Sequence, residues 1–475
     1  MNRVMSHVVT LAEEHETFRN ELASVARDGR RKWIYARQPS GRFYRARTVV
    51  SGFLLAFLFS APFVDIGGQP LMMLNVLERR FVLFGMLFRP QDFHLVVLVA
   101  LTVLVTLALS TVTIGRVWCG WLCPQTVFME MLFRKLEYLL EGSAEQQLRR
   151  NRGPWTRERL VRTGLKHAVF FGLSFVIANV FLAWIIGRHE LAAIVTDPPA
   201  EHLAGLTAIV VFSFVFYMVF ARFREQACVL ACPYGRVMSS LIDARTITVT
   251  YDRLRGEPRS RLVRASGAPQ AAGDCIDCHQ CVTVCPTGID IRDGIQLECV
   301  NCTACIDACD AVMTRISRPT GLIRLTSEAA LHQRQRWLTA RSAGYGAVWV
   351  LLVAAVVVSI ASRPDLDVLI LRSPGTVYTA VQGGGLANFY DVQVLNNTRY
   401  PAGFTIEALE PRGATLAMLG RLGQVEPYGA TNGRLLLQVP AASLTATNTA
   451  VRFVVRTATG SVHVIDWTFL GPANR

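Results

Sequence analysis

The chain has 475 residues, of which 51% are hydrophobic, and its formal net charge is +14. This length favours two to four domains, and a mean hydropathy of +0.32 argues against a single soluble domain. A basic chain can bind nucleic acid, but no compact module of basic and aromatic residues supports that use, so we expect no nucleic-acid partner.

A cluster of basic residues directly precedes the first apolar run, within residues 27–47. The positive-inside rule therefore places the N-terminus in the cytoplasm. No signal peptide is expected, because the first 47 residues are charged and contain no apolar run of the required length.

Five apolar runs have about the length that crosses a bilayer core of about 30 Å. They lie at residues 48–64, 93–113, 167–187, 204–222 and 343–361. These runs predict a multi-pass helical protein of the bacterial inner membrane, with residues 223–342 in the cytoplasm and 362–475 in the periplasm. Residues 71–88 are interrupted by charges, so we predict a helix lying on the outer surface there.

Two cysteine pairs follow the second and fourth runs, each as a C-x3-C-P motif. The corresponding cysteines are 109 residues apart, from 119 to 228 and from 123 to 232, and they are Cys119, Cys123, Cys228 and Cys232. The equal spacing predicts a duplicated two-helix unit. Residues i and i+4 share a helix face, which is wide for a disulfide but suits two thiolates on one soft metal ion. The alternative is that these cysteines act as small apolar packing residues.

The other cysteines form two runs with the spacing C-x2-C-x2-C-x3-C. Pro286 follows the first run and Asp310 the second. This is the bacterial ferredoxin spacing, in which the fourth cysteine ligates the other cluster. We therefore assign one [4Fe–4S] centre, cluster 1, to Cys275, Cys278, Cys281 and Cys309. The second centre, cluster 2, is assigned to Cys299, Cys302, Cys305 and Cys285. Structural zinc is the alternative.

The tail from Arg372 contains short alternating or β-branched runs separated by Gly, Pro and Asn. This pattern predicts an antiparallel β-sandwich. The tail has no cysteine, which favours a domain that docks a partner over a metal carrier.

Several stretches resemble the cytochrome c oxidase accessory protein family known as CcoG, FixG or RdxA. They include CPTGIDIRDGIQLECVNCTACIDACDAVM (285–313), GLIRLTSE (321–328), RKWIYARQPSGRFYRAR (31–47), FGMLFRPQDF (84–93) and both C-x3-C-P motifs. Related proteins with the same membrane pairs include the NapH- and NosR-type membrane polyferredoxins. The resemblance covers essentially the whole chain and implies an immunoglobulin-like C-terminal domain, a role in assembling cbb3-type oxidase, and reduction of Cu(II) to Cu(I).

The predicted fold is therefore a multi-domain membrane protein. Its predicted parts are a cytoplasmic segment (1–47), a transmembrane bundle (48–253), a linker (254–274), a ferredoxin domain with two [4Fe–4S] clusters (275–342), a last membrane helix (343–361) and an immunoglobulin-like β-domain (362–475).

The predicted function is that of a cupric reductase. Electrons from an unknown donor would pass through the two clusters to Cu(II) held by the four membrane cysteines, because the softer Cu(I) is the better thiolate partner. The receiving partner would be cbb3-type cytochrome c oxidase or its copper chaperones. The alternatives are an electron relay between quinone or a cytoplasmic donor and a periplasmic partner, and a non-catalytic assembly scaffold or copper-binding protein.

Overall fold

The computed structural model of the chain describes residues 23–26, 28–76, 79–261, 273–332, 339–375, 377–381, 385–420, 423–440, 443–444, 446–458 and 460–472. The chain forms two compact units. The first comprises Met1–Phe63 and His94–Val356, and the second comprises Val64–Phe93 and Val357–Arg475. Residues 64–93, which the sequence placed with the helical bundle, thus group with the C-terminal domain.

Among the described residues, five helices are long and apolar enough to cross a membrane, which confirms the predicted spans. They are Arg42–Phe63, Phe93–Ile114, Arg157–Ile186, Leu203–Phe223 and Ala340–Ala361. The first helix begins at Arg42, six residues earlier than predicted, because the Asp307 carboxylate accepts hydrogen bonds from the backbone N–H groups of Phe43 and Tyr44. A carboxylate at this position satisfies N–H groups that a helix start leaves free.

Aromatic side chains pack the centre of the helical bundle. Phe133 stacks on Phe220 with ring centroids 4.6 Å apart and meets Phe170 edge-on at 4.9 Å. The shorter α-helices of the first unit, within the described residues, are Pro124–Thr126, Arg134–Glu141, Ala144–Arg152, Arg188–Thr196, Pro233–Ser239, Arg253–Gly256, Gln280–Thr283, Ala304–Arg315 and Glu328–His332.

The ferredoxin part of the first unit is closed by an antiparallel strand pair, Thr248–Tyr251 with Ile323–Thr326. Its core contains Val249, Ile306 and Met313 together with buried cysteines. This part therefore begins before the linker predicted at 254–274, of which residues 262–272 lie outside the described part of the chain.

The second unit contains two facing antiparallel sheets, which confirms the predicted β-sandwich. The first sheet orders Thr415–Leu419, Ala430–Pro440, Gly385–Asn396 and Leu366–Arg372, with Thr379–Val381 also paired to Gly385–Asn396. The second sheet orders Gln424–Val425, Ala402–Glu410, Asn448–Thr457 and Val462–Leu470. Their inner faces share one apolar core around Tyr390, Phe453 and Phe469, as expected when alternating side chains of two sheets interlock.

The helix predicted at 71–88 is wrong. The structure has three antiparallel strands there, Met72–Asn75, Arg80–Leu83 and Met86–Phe88. Phe84 and Gly85 both have positive φ angles, 52° and 75°, and two such residues form the tight turn that best matches the twist of a β-hairpin. A two-residue turn inside an apolar run therefore decided the structure here.

Candidate functional site

The two C-x3-C-P motifs have the same backbone conformation. Each first cysteine lies in a short π-helix, Trp118–Leu122 or Ala227–Ala231, and the two helices are offset by the same 109 residues as the cysteines. The residues at the matching positions before them, Gly115 and Arg224, both have positive φ angles, of 61° and 52°. Short π-helices are frequent at functional sites. The duplication thus extends from the spacing to the fold of the chain.

The structure corrects the expectation that each cysteine pair shares one α-helical face. The second cysteine caps the π-helix, so that Cys123 N–H donates to the Trp118 carbonyl at 2.8 Å and Cys232 N–H donates to the Ala227 carbonyl at 2.9 Å. Cys123 is extended, with φ −62° and ψ 124°, because the residue before a proline avoids the α-helical region. Pro124 and Pro233 then begin new helices.

The two motifs contact each other. Gln125 Nε2 donates to the Arg224 carbonyl at 3.3 Å. The hydroxyls of Thr111 and Tyr234 are 3.1 Å apart. The two motifs, which the sequence could only relate by spacing, are therefore neighbours in the fold.

The four membrane thiols are close enough to influence one another. Burial raises the pKa of Cys228 to about 12, and the charges of Cys123, Cys119 and Cys232 contribute to the rise. Burial also raises the pKa values of Cys119 and Cys123, and again Cys232 contributes. Cysteines bind a metal ion as thiolates, and a bound cation would offset the cost of burying those charges.

The ferredoxin cysteines surround two separate cavities. One cavity is lined by Cys275, Cys278, Cys281 and Cys309. The other is lined by Cys285, Cys299, Cys302 and Cys305, and Cys281 also borders it. Each cavity is therefore lined by the four cysteines that the crossed assignment gives to one cluster. This donor set of four thiols within apolar walls fits a [4Fe–4S] cluster.

The crossed ligand sets predict which cluster each substitution removes. Cys309→Ser should disturb cluster 1 and Cys285→Ser should disturb cluster 2, because the fourth ligand comes from the other run. Electron paramagnetic resonance (EPR) spectra of the two purified variants would check this. Loss of the sequence-adjacent cluster in each variant would contradict the assignment.

The first membrane motif lies directly against the loop that carries Cys302. A Cβ atom on Gly120 would overlap the Val300 carbonyl oxygen and come within 3.0 Å of the Cys302 Cα atom. Cys119, Val300 and Cys302 belong to one buried apolar cluster. Only glycine permits this close backbone approach. The contact thus places the membrane cysteines beside the ligands of cluster 2.

Two buried arginines lie at the same contact. Arg47 and Arg116 are each 3% exposed. Arg47 Nη1 donates to the Cys302 carbonyl at 3.5 Å, and Arg116 Nη1 donates to the Leu297 carbonyl. The sequence counted Arg47 as a topology signal, and nothing in its spacing marks it as buried beside a cluster ligand.

An ion-pair network holds the second motif in place. Arg224 binds Glu137 through two hydrogen bonds of 3.1 and 2.8 Å, and both side chains are buried. Arg31 Nη2 lies 2.8 Å from Glu225, and the guanidinium groups of Arg31 and Arg224 both lie over the Trp33 ring. Bidentate arginine–carboxylate pairs fix geometry as well as charge, so the N-terminal segment and the bundle position this motif together.

Within the described part of the chain, no three His, Cys, Asp or Glu side chains are placed to hold a single metal ion. That result includes the ferredoxin cysteines as well as the membrane cysteines. The thiols of the ferredoxin sites therefore line cavities rather than converge on one point.

Three protein-family models match the chain. A 4Fe-4S dicluster domain matches residues 223–328 and a 4Fe-4S binding domain matches residues 95–141. The IG-like fold at the C-terminus of FixG matches residues 356–472. Cys119 and Cys123 therefore lie within a region similar to an iron–sulfur domain.

The chain is also similar to proteins of known sequence over most of its length. It is 31% identical to protein RdxA of Cereibacter sphaeroides over 442 residues, which are 89% of this chain and 92% of RdxA. It is 35% identical to nitrogen fixation protein FixG of Rhizobium meliloti over 300 residues, 62% of this chain and 57% of FixG. It is 31% identical to protein RdxB of C. sphaeroides over 407 residues, 82% of this chain and 85% of RdxB.

Proposed function

The chain belongs to the RdxA and FixG family of iron–sulfur membrane proteins, and we propose that it reduces Cu(II) to Cu(I) at its four membrane cysteines. The Cu(I) would supply the assembly of cbb3-type cytochrome c oxidase, either directly or through copper chaperones. Copper is here the substrate, whereas the iron–sulfur clusters are resident cofactors.

One observation carries this proposal. The backbone of the Cys302 loop touches Gly120, one residue from Cys119, and Cys119 and Cys302 share one apolar cluster. The ligands of cluster 2 and the membrane thiols are thus direct neighbours. Such an arrangement suits one-electron transfer from the ferredoxin part to an ion at the membrane cysteines.

The residues of the site favour the reduced product. Thiolates are soft ligands and prefer Cu(I) to harder ions. The [4Fe–4S] clusters, when bound, would supply one-electron reduction. Cys119 is 7% exposed, whereas Cys123, Cys228 and Cys232 are partly exposed.

The substrate is tested by a single-turnover experiment under argon. Purified protein is reduced with dithionite, desalted and mixed with Cu(II) and a chromophoric Cu(I) chelator. We expect about two Cu(I) per protein, one for each [4Fe–4S] cluster oxidised, without added quinone. A scaffold would give no Cu(I), and an electron relay would oxidise its clusters only when a quinone is added.

We propose that the ferredoxin part lies in the cytoplasm and the β-sandwich in the periplasm of a cell with an inner membrane. The basic residues before the first helix support this orientation. The start of the first helix also contacts the ferredoxin part, since Asp307 binds the N–H groups of Phe43 and Tyr44. Both belong on one side of the membrane.

This topology predicts the activity of fused reporters. A reporter that is active only in the periplasm should work when fused after residue 475 and fail when fused after residue 330, because one membrane helix separates the two positions. Reporter activity in colonies of the two fusion strains checks it. An active fusion at residue 330 would place the ferredoxin part on the opposite side.

A further inference from the structure

The environments of the two ferredoxin sites differ in charge. We propose that the buried arginines Arg47 and Arg116 make cluster 2 easier to reduce than cluster 1, and thereby direct the electron toward the membrane cysteines. The destination of the electron rests on the proposed function, whereas the difference between the clusters does not.

Arg47 contributes a buried positive charge beside cluster 2. Its guanidinium donates to the Cys302 carbonyl at 3.5 Å, and among the described residues no carboxylate lies within ion-pair distance of it. Cys302 is itself a ligand of cluster 2, so the Arg47 charge lies beside that cluster. The Glu130 carboxylate also influences Cys302, but it is paired with Arg134 at 2.8 Å.

Arg116 lies between cluster 2 and the membrane motif. Its Nη1 donates to the Leu297 carbonyl, and its Nη2 occupies the space that a side chain on Gly235 would need. Its Nε has no hydrogen-bond partner, and no carboxylate pairs with it within the described ranges. Leu297 lies two residues before the ligand Cys299, so the Arg116 charge also lies beside cluster 2.

Two buried acids lie near this site, Asp307 and Glu298. Asp307 lies two residues from Cys305, and its two oxygens accept the N–H groups of Phe43 and Tyr44. The positive end of that helix offsets the carboxylate. Glu298 directly precedes the ligand Cys299 and interacts with the Arg116 charge. Among the described residues, cluster 2 therefore has two buried arginines and one buried carboxylate, Glu298, that offsets part of their charge.

The surroundings of cluster 1 contain more negative charge than those of cluster 2. Arg292 is its buried cation, but it is shared by Asp277 and Asp290 at 2.6 Å each. Asp310 directly follows the ligand Cys309; its Oδ1 accepts from the Gly321 N–H at 2.8 Å, and its Oδ2 lies 3.7 Å from the exposed Arg42. Three carboxylates, those of Asp277, Asp290 and Asp310, thus lie near cluster 1, together with the buried Arg292 and the exposed Arg42.

The difference in charge between the surroundings of the two clusters predicts the direction of electron transfer. Adding an electron makes a thiolate-ligated cluster one unit more negative, so nearby cations favour the reduced form and carboxylates oppose it. One electron leaves cluster 1, which is oxidised, and enters cluster 2, which is reduced; no bond forms and no proton moves. A soluble low-potential electron carrier would supply the electron to cluster 1.

The test is an EPR-monitored redox titration of the purified holoprotein without copper, with the two signals assigned from Cys309→Ser and Cys285→Ser. We expect cluster 2 to have the higher potential. Arg47→Gln and Arg116→Gln should lower the potential of cluster 2 and leave that of cluster 1 unchanged, whereas Asp310→Asn should raise the potential of cluster 1.

Two sets of control variants distinguish an effect of charge on the potential from an effect on folding. Arg47→Lys and Arg116→Lys keep the charge and should keep the cluster 2 potential near that of the wild type. Arg236→Gln, an exposed arginine on the helix after the second motif, should change neither potential. Equal potentials in the wild type, or glutamine variants that shift neither cluster or both alike, would overturn the proposal. If the glutamine variants lose their clusters, the lysine and Asp310→Asn titrations still decide it.

Discussion

Cys119→Ser and Cys232→Ser should each lower the rate of Cu(II) reduction by more than about 100-fold. Substituting a residue that only orients a metal ligand already lowers metal affinity or activity by about 10- to 100-fold, and these two residues are the ligands themselves. Combining the two substitutions should add little. Cys119 and Cys232 both lie close enough to Cys228 to raise its pKa. Removing either thiol should therefore disrupt the same copper site as removing both. Residues that act as one unit are strongly non-additive in this way.

The single and double variants are compared by stopped-flow formation of the Cu(I)–chelator complex. Their visible absorbance serves as the control, because the eight ferredoxin cysteines are untouched and both clusters should remain. Partial losses that multiply in the double variant would mean that the two motifs work independently.

Gly120→Val should slow oxidation of the reduced clusters by Cu(II) on the order of 100-fold, the scale of loss that a misplacement of about 1 Å can cause. The new side chain overlaps the backbone of Val300 and Cys302, which cannot move aside as a flexible side chain would. Overpacking should also cost about 1–3 kcal/mol of folding free energy. Rapid-mixing absorbance of dithionite-reduced protein would measure the rate.

The second repeat supplies the matched control. Val229 occupies the position equivalent to Gly120, and it is partly exposed. Val229→Ala should therefore leave the oxidation rate near that of the wild type. A wild-type rate in Gly120→Val, with full iron content, would show that the contact at Gly120 is not the route of the electron.

The membrane helices and the ferredoxin cysteine runs were predictable because few structures are compatible with their sequence patterns. A run of about 20 apolar residues has few structures available other than a membrane helix. The doubled cysteine spacing likewise restricts the chain around a cluster. The hairpin at 72–88 was missed because Phe84 adopts the positive φ angle that usually belongs to glycine or asparagine.

Only part of the candidate site could be predicted from the sequence. Spacing related the four membrane cysteines, but their contact depends on bonds between distant segments, such as that from Gln125 to Arg224. The buried Arg47 is indistinguishable in sequence from the exposed arginines before it. The sequence could have singled out Gly120, because the two duplicated motifs differ there and the second has Val229 at the matching position.

The central claim is that copper reduction takes place at the membrane cysteines and not at the clusters themselves. The most direct measurement is the Cu(I) formed by dithionite-reduced wild type and by the variant with serine at Cys119, Cys123, Cys228 and Cys232, with iron, sulfide and copper counted in both. We expect about eight iron and eight sulfide in each protein, as two [4Fe–4S] clusters require, with copper binding and Cu(I) formation in the wild type alone. Equal Cu(I) formation by the four-serine variant, or a loss of iron and sulfide from it, would show that the membrane cysteines are not a separate site of copper reduction.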